Sequence, residues 1–164
     1  GMVPSVDLEL VDLIHMDTQS SKKLAQRLAK QVMRDLYGGP KLENGPRPKS
    51  AVWVDTPYGP TIRVAFTNVN GRLCCNGRLS GFSLCDADKN PIPVIYNQQL
   101  APDAPDTVIL WITHYPEMKL FVPEPEKTFV YYGRTRNPYC NLTDEQDMGA
   151  SAFGPLPVTK NAAQ

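Results

Sequence analysis

Two hydrophobic periods divide the chain. Between residues 18 and 37, Ala25, Leu28, Ala29, Val32, Met33 and Leu36 recur at three- and four-residue steps. On a helix these positions form one apolar stripe, and Lys22, Lys23, Gln26, Arg27, Lys30, Gln31 and Arg34 fill the other face. Asp17 or Thr18 can cap the start, and Gly38-Gly39-Pro40 stops the helix. The stripe (Leu28, Val32, Leu36) is expected to pack on the rest of the fold or on a second copy. Residues 39–50 are rich in Pro, Gly and charge and read as a linker.

From residue 51 the period becomes two. Ile62, Val64 and Phe66 alternate with Thr61, Arg63 and Thr67, so one face of that segment is apolar. Further strands are expected over 51–55, 81–85, 93–96, 107–113 and 127–132. The run Val108-Ile109-Leu110-Trp111-Ile112 is apolar on both faces and belongs at the centre of a sheet. Turn residues separate the strands: Tyr58-Gly59-Pro60, Asn70-Gly71, Asn76-Gly77 and Asp88-Lys89-Asn90-Pro91. The pattern predicts a mainly β fold, an antiparallel, jelly-roll-like β-sandwich preceded by one amphipathic helix. The stretch from Asn137 onward shows no period and reads as an extended tail, tied down by Leu142 and Phe153. Three segments follow: 1–38 with the helix, a 39–50 linker, and a 51–164 sandwich.

Composition changes this picture in one respect. Among 164 residues, 41% are hydrophobic and 21% charged, which is ordinary for a globular chain. The 16 prolines are about twice the usual share of roughly 5%, which excludes a mostly helical fold. Lys+Arg and Asp+Glu are both 17, so the net charge is zero. A general nucleic-acid binder needs a basic excess to neutralise phosphates and is not expected. No apolar run reaches the roughly 18 residues of a membrane span, and no membrane partner is expected. Acids at Asp7, Glu9 and Asp12 stand where a signal peptide carries its basic region. Localisation stays open. Gly1 before Met2 reads as the remnant of a removed tag.

Candidate chemistry is sparse. Cys74, Cys75, Cys85 and Cys140 form no C-x-x-C pair and have no His at ligand spacing, so neither a metal site nor a cofactor is expected. Buried free thiols are the favoured state, with a bridge from Cys74 or Cys75 to Cys85 as the alternative. Asn141-Leu142-Thr143 fits a glycosylation sequon, but an ordinary turn is favoured. Trp53 and Trp111 are expected in the core, and Tyr58 and Tyr139 at the surface. His114 is expected as an edge or core histidine, and Arg134, Arg136 and Asn137 as caps on loop carbonyls. His15 follows Asp12 by three positions. A carboxylate so placed can fold back onto the imidazole, fix its tautomer and stabilise its protonated form. That is two-thirds of a hydrolytic triad, although on spacing alone a helix-start Asp beside an incidental His is the favoured reading. No G-x-S-x-G, G-D-S or G-Q-S block supplies a nucleophile.

Two segments together resemble a known family. Asp12 and His15, followed by Arg27-Leu28-Ala29 and then Tyr37-Gly38, look like the last block of the SGNH-type sialate O-acetylesterases and related carbohydrate acetylesterases. Tyr132, Asn137-Pro138, Asn141-Leu142 and Phe153 are similar to that family's closing segment. Met16 stands where the family usually has Pro, and Arg134 where it often has Trp. The resemblance covers nearly all of this chain but only the C-terminal part of the family. It implies a serine-type carboxylic ester hydrolase in which His15 is the general base and Asp12 orients it. The nucleophile and the oxyanion hole would come from outside these residues. The implied substrate is an O-acetylated carbohydrate. The implied packing partner of the helix is a missing hydrolase domain or a second copy. A β-sandwich binding or scaffold module, carbohydrate-binding or not, in which Asp12 and His15 are relics, is the alternative reading.

Overall fold

The computed structural model describes residues 2–113 and 123–160. One helix, α1 (Thr18–Tyr37), precedes nine strands: β1 (Arg47–Thr56), β2 (Gly59–Thr67), β3 (Leu73–Cys75), β4 (Phe82–Cys85), β5 (Ile95–Leu100), β6 (Thr107–Ile112), β7 (Phe129–Tyr132), β8 (Leu142–Asp144) and β9 (Phe153–Lys160). The helix begins where a carboxylate can cap it. Asp17 stays extended and its side chain accepts from the Ser20 N–H. It ends at Gly38, whose φ of 65° only glycine adopts freely, and the Gly39 N–H closes on the Met33 carbonyl at 2.9 Å.

The mainly β architecture with one helix agrees with the pattern; the antiparallel sandwich is corrected. Seven strands form one mixed sheet in the order β4-β7-β9-β1-β2-β6-β5, which curls until its outer strands nearly meet. β3 and β8 make a small second sheet. The physical reason lies in β9. It pairs antiparallel with β7 through Phe153, Leu156 and Pro157, then parallel with β1 through Val158, Thr159 and Lys160. A sandwich would leave β4-β7 and β1-β2-β6-β5 as separate layers, and β9 splices them. The tail after Asn137 is therefore two strands rather than a wrapping coil. The first strand also begins at Arg47, inside the segment expected to be a linker.

The core follows the pleat. Ala51 and Trp53 from β1, Ile62, Val64 and Phe66 from β2, and Val108, Leu110 and Ile112 from β6 all point inward and are buried. Cross-strand register stacks Trp53 against Ile62 and Val64 against both Ala51 and Val108. Burying each Val, Ile, Leu or Phe side chain of this set contributes about 1.5–3 kcal/mol. Phe66, Phe82, Tyr132 and Phe153 form an aromatic cluster with ring centroids 4.9–6.4 Å apart. Trp53 lies in the core as expected, Trp111 is half-buried, and Tyr58 and Tyr139 are exposed. Burial pushes the Tyr132 phenol well above its usual range, and its oxygen accepts from the Leu142 N–H at 2.9 Å.

Candidate functional site

The helix docks with the opposite face from the one expected. Ser20, Arg27 and Gln31, spaced seven and four residues apart, are its buried positions. Arg27 makes a two-pronged pair with Asp7 at 2.9 and 2.6 Å, and also donates to the Asp147 and Pro4 carbonyls. Gln31 donates to the Met2 carbonyl and to Asn44, and Ser20 accepts from the Glu9 N–H. Burial disfavours the Arg27 charge, but the Asp7 and Asp147 carboxylates outweigh it and hold the guanidinium above its ordinary pKa. Gly149 leaves room for this pair: a Cβ there would stand 2.4 Å from an Asp7 carboxylate oxygen. The apolar stripe faces away. Leu28, Val32, Met33 and Leu36 are all exposed, Leu36 at 75%. Packing of the stripe on the β domain is thus overturned, because the buried face follows the ionic partners of Arg27 rather than apolar area.

Ahead of the helix, residues 9–17 form a tight hairpin-like turn. Leu10 and Met16 pair across it, Val11 N–H donates to the His15 carbonyl at 2.9 Å, and Asp17 N–H donates to the Glu9 carbonyl at 3.3 Å. Asp12 and His15 sit at its tip. One Asp12 carboxylate oxygen accepts the Ile14 and His15 backbone N–H groups, each at 2.8 Å. The other lies 2.7 Å from His15 Nδ1. The His15 ring bond, followed by the two backbone bonds, holds the Asp12 carboxyl below its usual pKa. An ionised Asp12 can only accept, so Nδ1 is the donor, and in the neutral ring the lone pair then lies on Nε2. Among the described residues Nε2 makes no hydrogen bond, and no hydroxyl or thiol is paired with it. The dyad stands in water, with side chains 68% and 53% exposed for His15 and Asp12. Around it Val11, Leu13 and Ile14 are also exposed, Leu13 at 92%.

The other candidates separate from this tip. All four cysteines are free thiols. Burial pushes Cys75 and Cys74 above the usual thiol range, and nearby Glu145 and Asp144 add to it at Cys74, which makes both poor nucleophiles. Asn141 is buried, and its amide holds the Ser80 N–H and the Asn76 and Arg78 carbonyls, so the sequon asparagine is structurally committed. Arg134 caps the Lys89 carbonyl at 2.6 Å and lies 5.2 Å over the Tyr131 ring. His114 lies outside the described residues. Among the described residues no three His, Cys, Asp or Glu side chains gather to hold a metal, and no helix is long and apolar enough to cross a membrane. A cavity of about 520 Å³ lies between the hairpin stem and the start of α1 on one side and Asn137–Asn141 on the other. Neither His15 nor Asp12 lines it. A smaller cavity of about 310 Å³, which the sequence reading missed, opens between Arg78–Ser80 and Ile95–Gln98.

No family model matches the chain, and no curated protein matches it. Among solved structures, it is similar to a carbohydrate acetylesterase from Xanthomonas citri, with a TM-score of 0.58 and 22% identity. The likeness covers 85% of this chain and 28% of that one. The chain thus shares its fold with a part of a larger acetylesterase and spans under a third of that protein's length.

Proposed function

We propose that this chain is the C-terminal portion of a carbohydrate O-acetylesterase. His15 serves as the general base and Asp12 as its orienting carboxylate. The attacking serine and the oxyanion donors come from a hydrolase segment outside residues 1–164. The sialate O-acetylesterases are the finer class this reading favours. The observation that carries it is the polarised dyad with its Nε2 unoccupied, on a tip ringed by exposed apolar side chains. In the working enzyme Nε2 takes the serine proton as the hydroxyl attacks the acetyl carbonyl. The imidazolium formed is held by Asp12 and then gives its proton to the sugar oxygen as the bond to the acetyl carbon breaks, so the sugar leaves as a free hydroxyl.

Solvent exposure explains why a second surface is needed. In water the Asp12–His15 interaction is heavily screened, whereas in a dry, enclosed site it is several-fold stronger. Leu13, Ile14 and the outward stripe of α1 are the apolar surface that a covering domain would bury. The test is expression of the chain together with whatever coding sequence lies in frame ahead of it. The expected result is hydrolysis of O-acetylated sugar that falls by about 10²–10⁴-fold in His15→Ala, the usual contribution of a general base. Equal activity in the variant would remove His15 from the mechanism. The scaffold-module reading gains from the same exposure of the dyad, and it expects no serine block ahead of the chain.

A further inference from the structure

The large sheet stops one pairing short of closure, and the gap is a groove. β4 and β5 face each other without a main-chain ladder. One side chain spans them: the Gln98 amide accepts from the Phe82 N–H and donates to the Phe82 carbonyl, both at 3.3 Å. Beyond this bridge the β4 edge is covered by residues 91–92, where the Ile92 N–H donates to the Leu84 carbonyl at 2.9 Å, so side chains rather than free backbone line the opening. Arg78 reaches over the same gap and donates to the Tyr96 carbonyl at 3.0 Å. The cavity of about 310 Å³ sits here, near the lower end of the roughly 300–1,000 Å³ typical of ligand sites.

Its walls have a distinct chemistry. Tyr96 and Tyr139 are exposed, whereas Phe66, Phe82, Tyr132 and Phe153 are packed together at the core. Flat phenol rings with a polar tip suit the C–H faces and hydroxyls of a sugar. Arg78 is the cation in the wall, and no carboxylate lines the groove. Among the described residues Arg78 forms no ion pair, and its carbonyl bond uses one of five N–H donors. The remaining donors form a fork that fits a planar carboxylate. Asn97, on the β5 side, donates one amide N–H to Gln99 at 3.3 Å and keeps its carbonyl oxygen and second N–H for hydroxyls. An added peptide strand is disfavoured, because the Gln98 bridge and the Arg78 side chain both cross the slot that it would fill.

We propose that this seam groove binds a carboxylate-bearing sugar residue, with its carboxylate on Arg78 and its ring against Tyr139 and Tyr96. This rests on the carbohydrate part of the functional reading, but not on the dyad. The Asp12–His15 tip does not line the groove.

The test is a titration of the purified chain, followed by amide NMR, with trigalacturonate and with neutral maltotriose. Trigalacturonate is expected to shift the amides of Arg78–Ser80 and Tyr96–Gln98 and to bind at least about tenfold more tightly than maltotriose, the scale of a hydrogen-bonded charge pair. Arg78→Gln should abolish that difference, and Tyr139→Ala should weaken binding of both sugars. Both positions are exposed, and the amide shifts away from the groove report that the fold is retained. Binding of neither sugar, equal binding of both, or a preference that persists in Arg78→Gln would each overturn the proposal. Loss of the site with His15-dependent hydrolysis intact in the extended protein sinks the groove alone. The reverse outcome sinks the esterase reading alone.

Discussion

The β domain and the N-terminal arm are built on opposite plans. In the β domain, apolar side chains point inward and the polar ones that are buried have partners almost throughout, as Asp144 does with Asn70, Gln146 and Met148. In the arm, a buried guanidinium faces inward, while Leu13, Ile14, Val32 and Leu36 face water. The first plan is that of a core already complete. The second keeps apolar area, and a polarised His–Asp pair, on the outside. The difference teaches that the arm is fixed by charge so that its apolar side stays available.

That contrast can be broken by substitution, and the largest effect should come from its anchor. Arg27→Ala leaves Asp7 buried without its partner and should cost about 3–5 kcal/mol if the arm and the β domain unfold together. Thermal melts read this as a lowered Tm. A melt unchanged in Tm but with lost helix signal would mean that the arm unfolds alone. Next, Leu110→Ala in β6 should cost about 2–5 kcal/mol by opening a cavity in the core. Leu36→Ala on α1, the same chemical change on the outward stripe, should stay within about 0.5 kcal/mol. Denaturant midpoints of the two variants compare the plans directly, and equal losses would place Leu36 in a packed interface.

How much of this was legible in the sequence depended on where the determinants lay. Strand β2 showed its alternation because Ile62, Val64 and Phe66 share one inward face, and β6 was legible as an unbroken apolar run because both of its faces are largely buried. The ends of α1 were legible because Asp17 and Gly38 act locally. Its buried face was not, since Arg27 answers to Asp7 and Asp147, 20 and 120 residues away. β9 was hidden by Pro155 and Pro157. It pairs with β7 in its first half and β1 in its second, so no long ladder with one neighbour is asked of it. β5 runs four residues past the expected 93–96 because its Asn97-Gln98-Gln99 run is polar, as befits a strand at an open seam. For the candidate site, the Asp12–His15 pairing was legible from a three-residue spacing. The exposure of that pair and the Arg78–Tyr96 groove depend on tertiary placement and left no periodic signal.

A smaller effect sharpens the account of the dyad itself. The carboxyl of Asp12, held down first by His15, should titrate below an unstructured aspartate in carbon-detected NMR. His15→Ala should move the midpoint upward, but not fully back, because the Ile14 and residue 15 backbone N–H groups remain. By linkage, a lowered folded pKa gives stability that is present above the unfolded value and lost as pH falls through the folded one. At this exposed turn that contribution should be too small to move the global melt. An Asp12 midpoint indifferent to His15→Ala would mean that the two side chains do not meet in solution.

The central claim, that His15 and Asp12 form a prepared but incomplete centre, is most directly tested by turnover of p-nitrophenyl acetate with the chain 1–164 alone. The expected result is a rate indistinguishable from that of His15→Ala. Turnover that is clear in the parent and absent from the variant would contradict it, by proving that these residues already contain their own nucleophile.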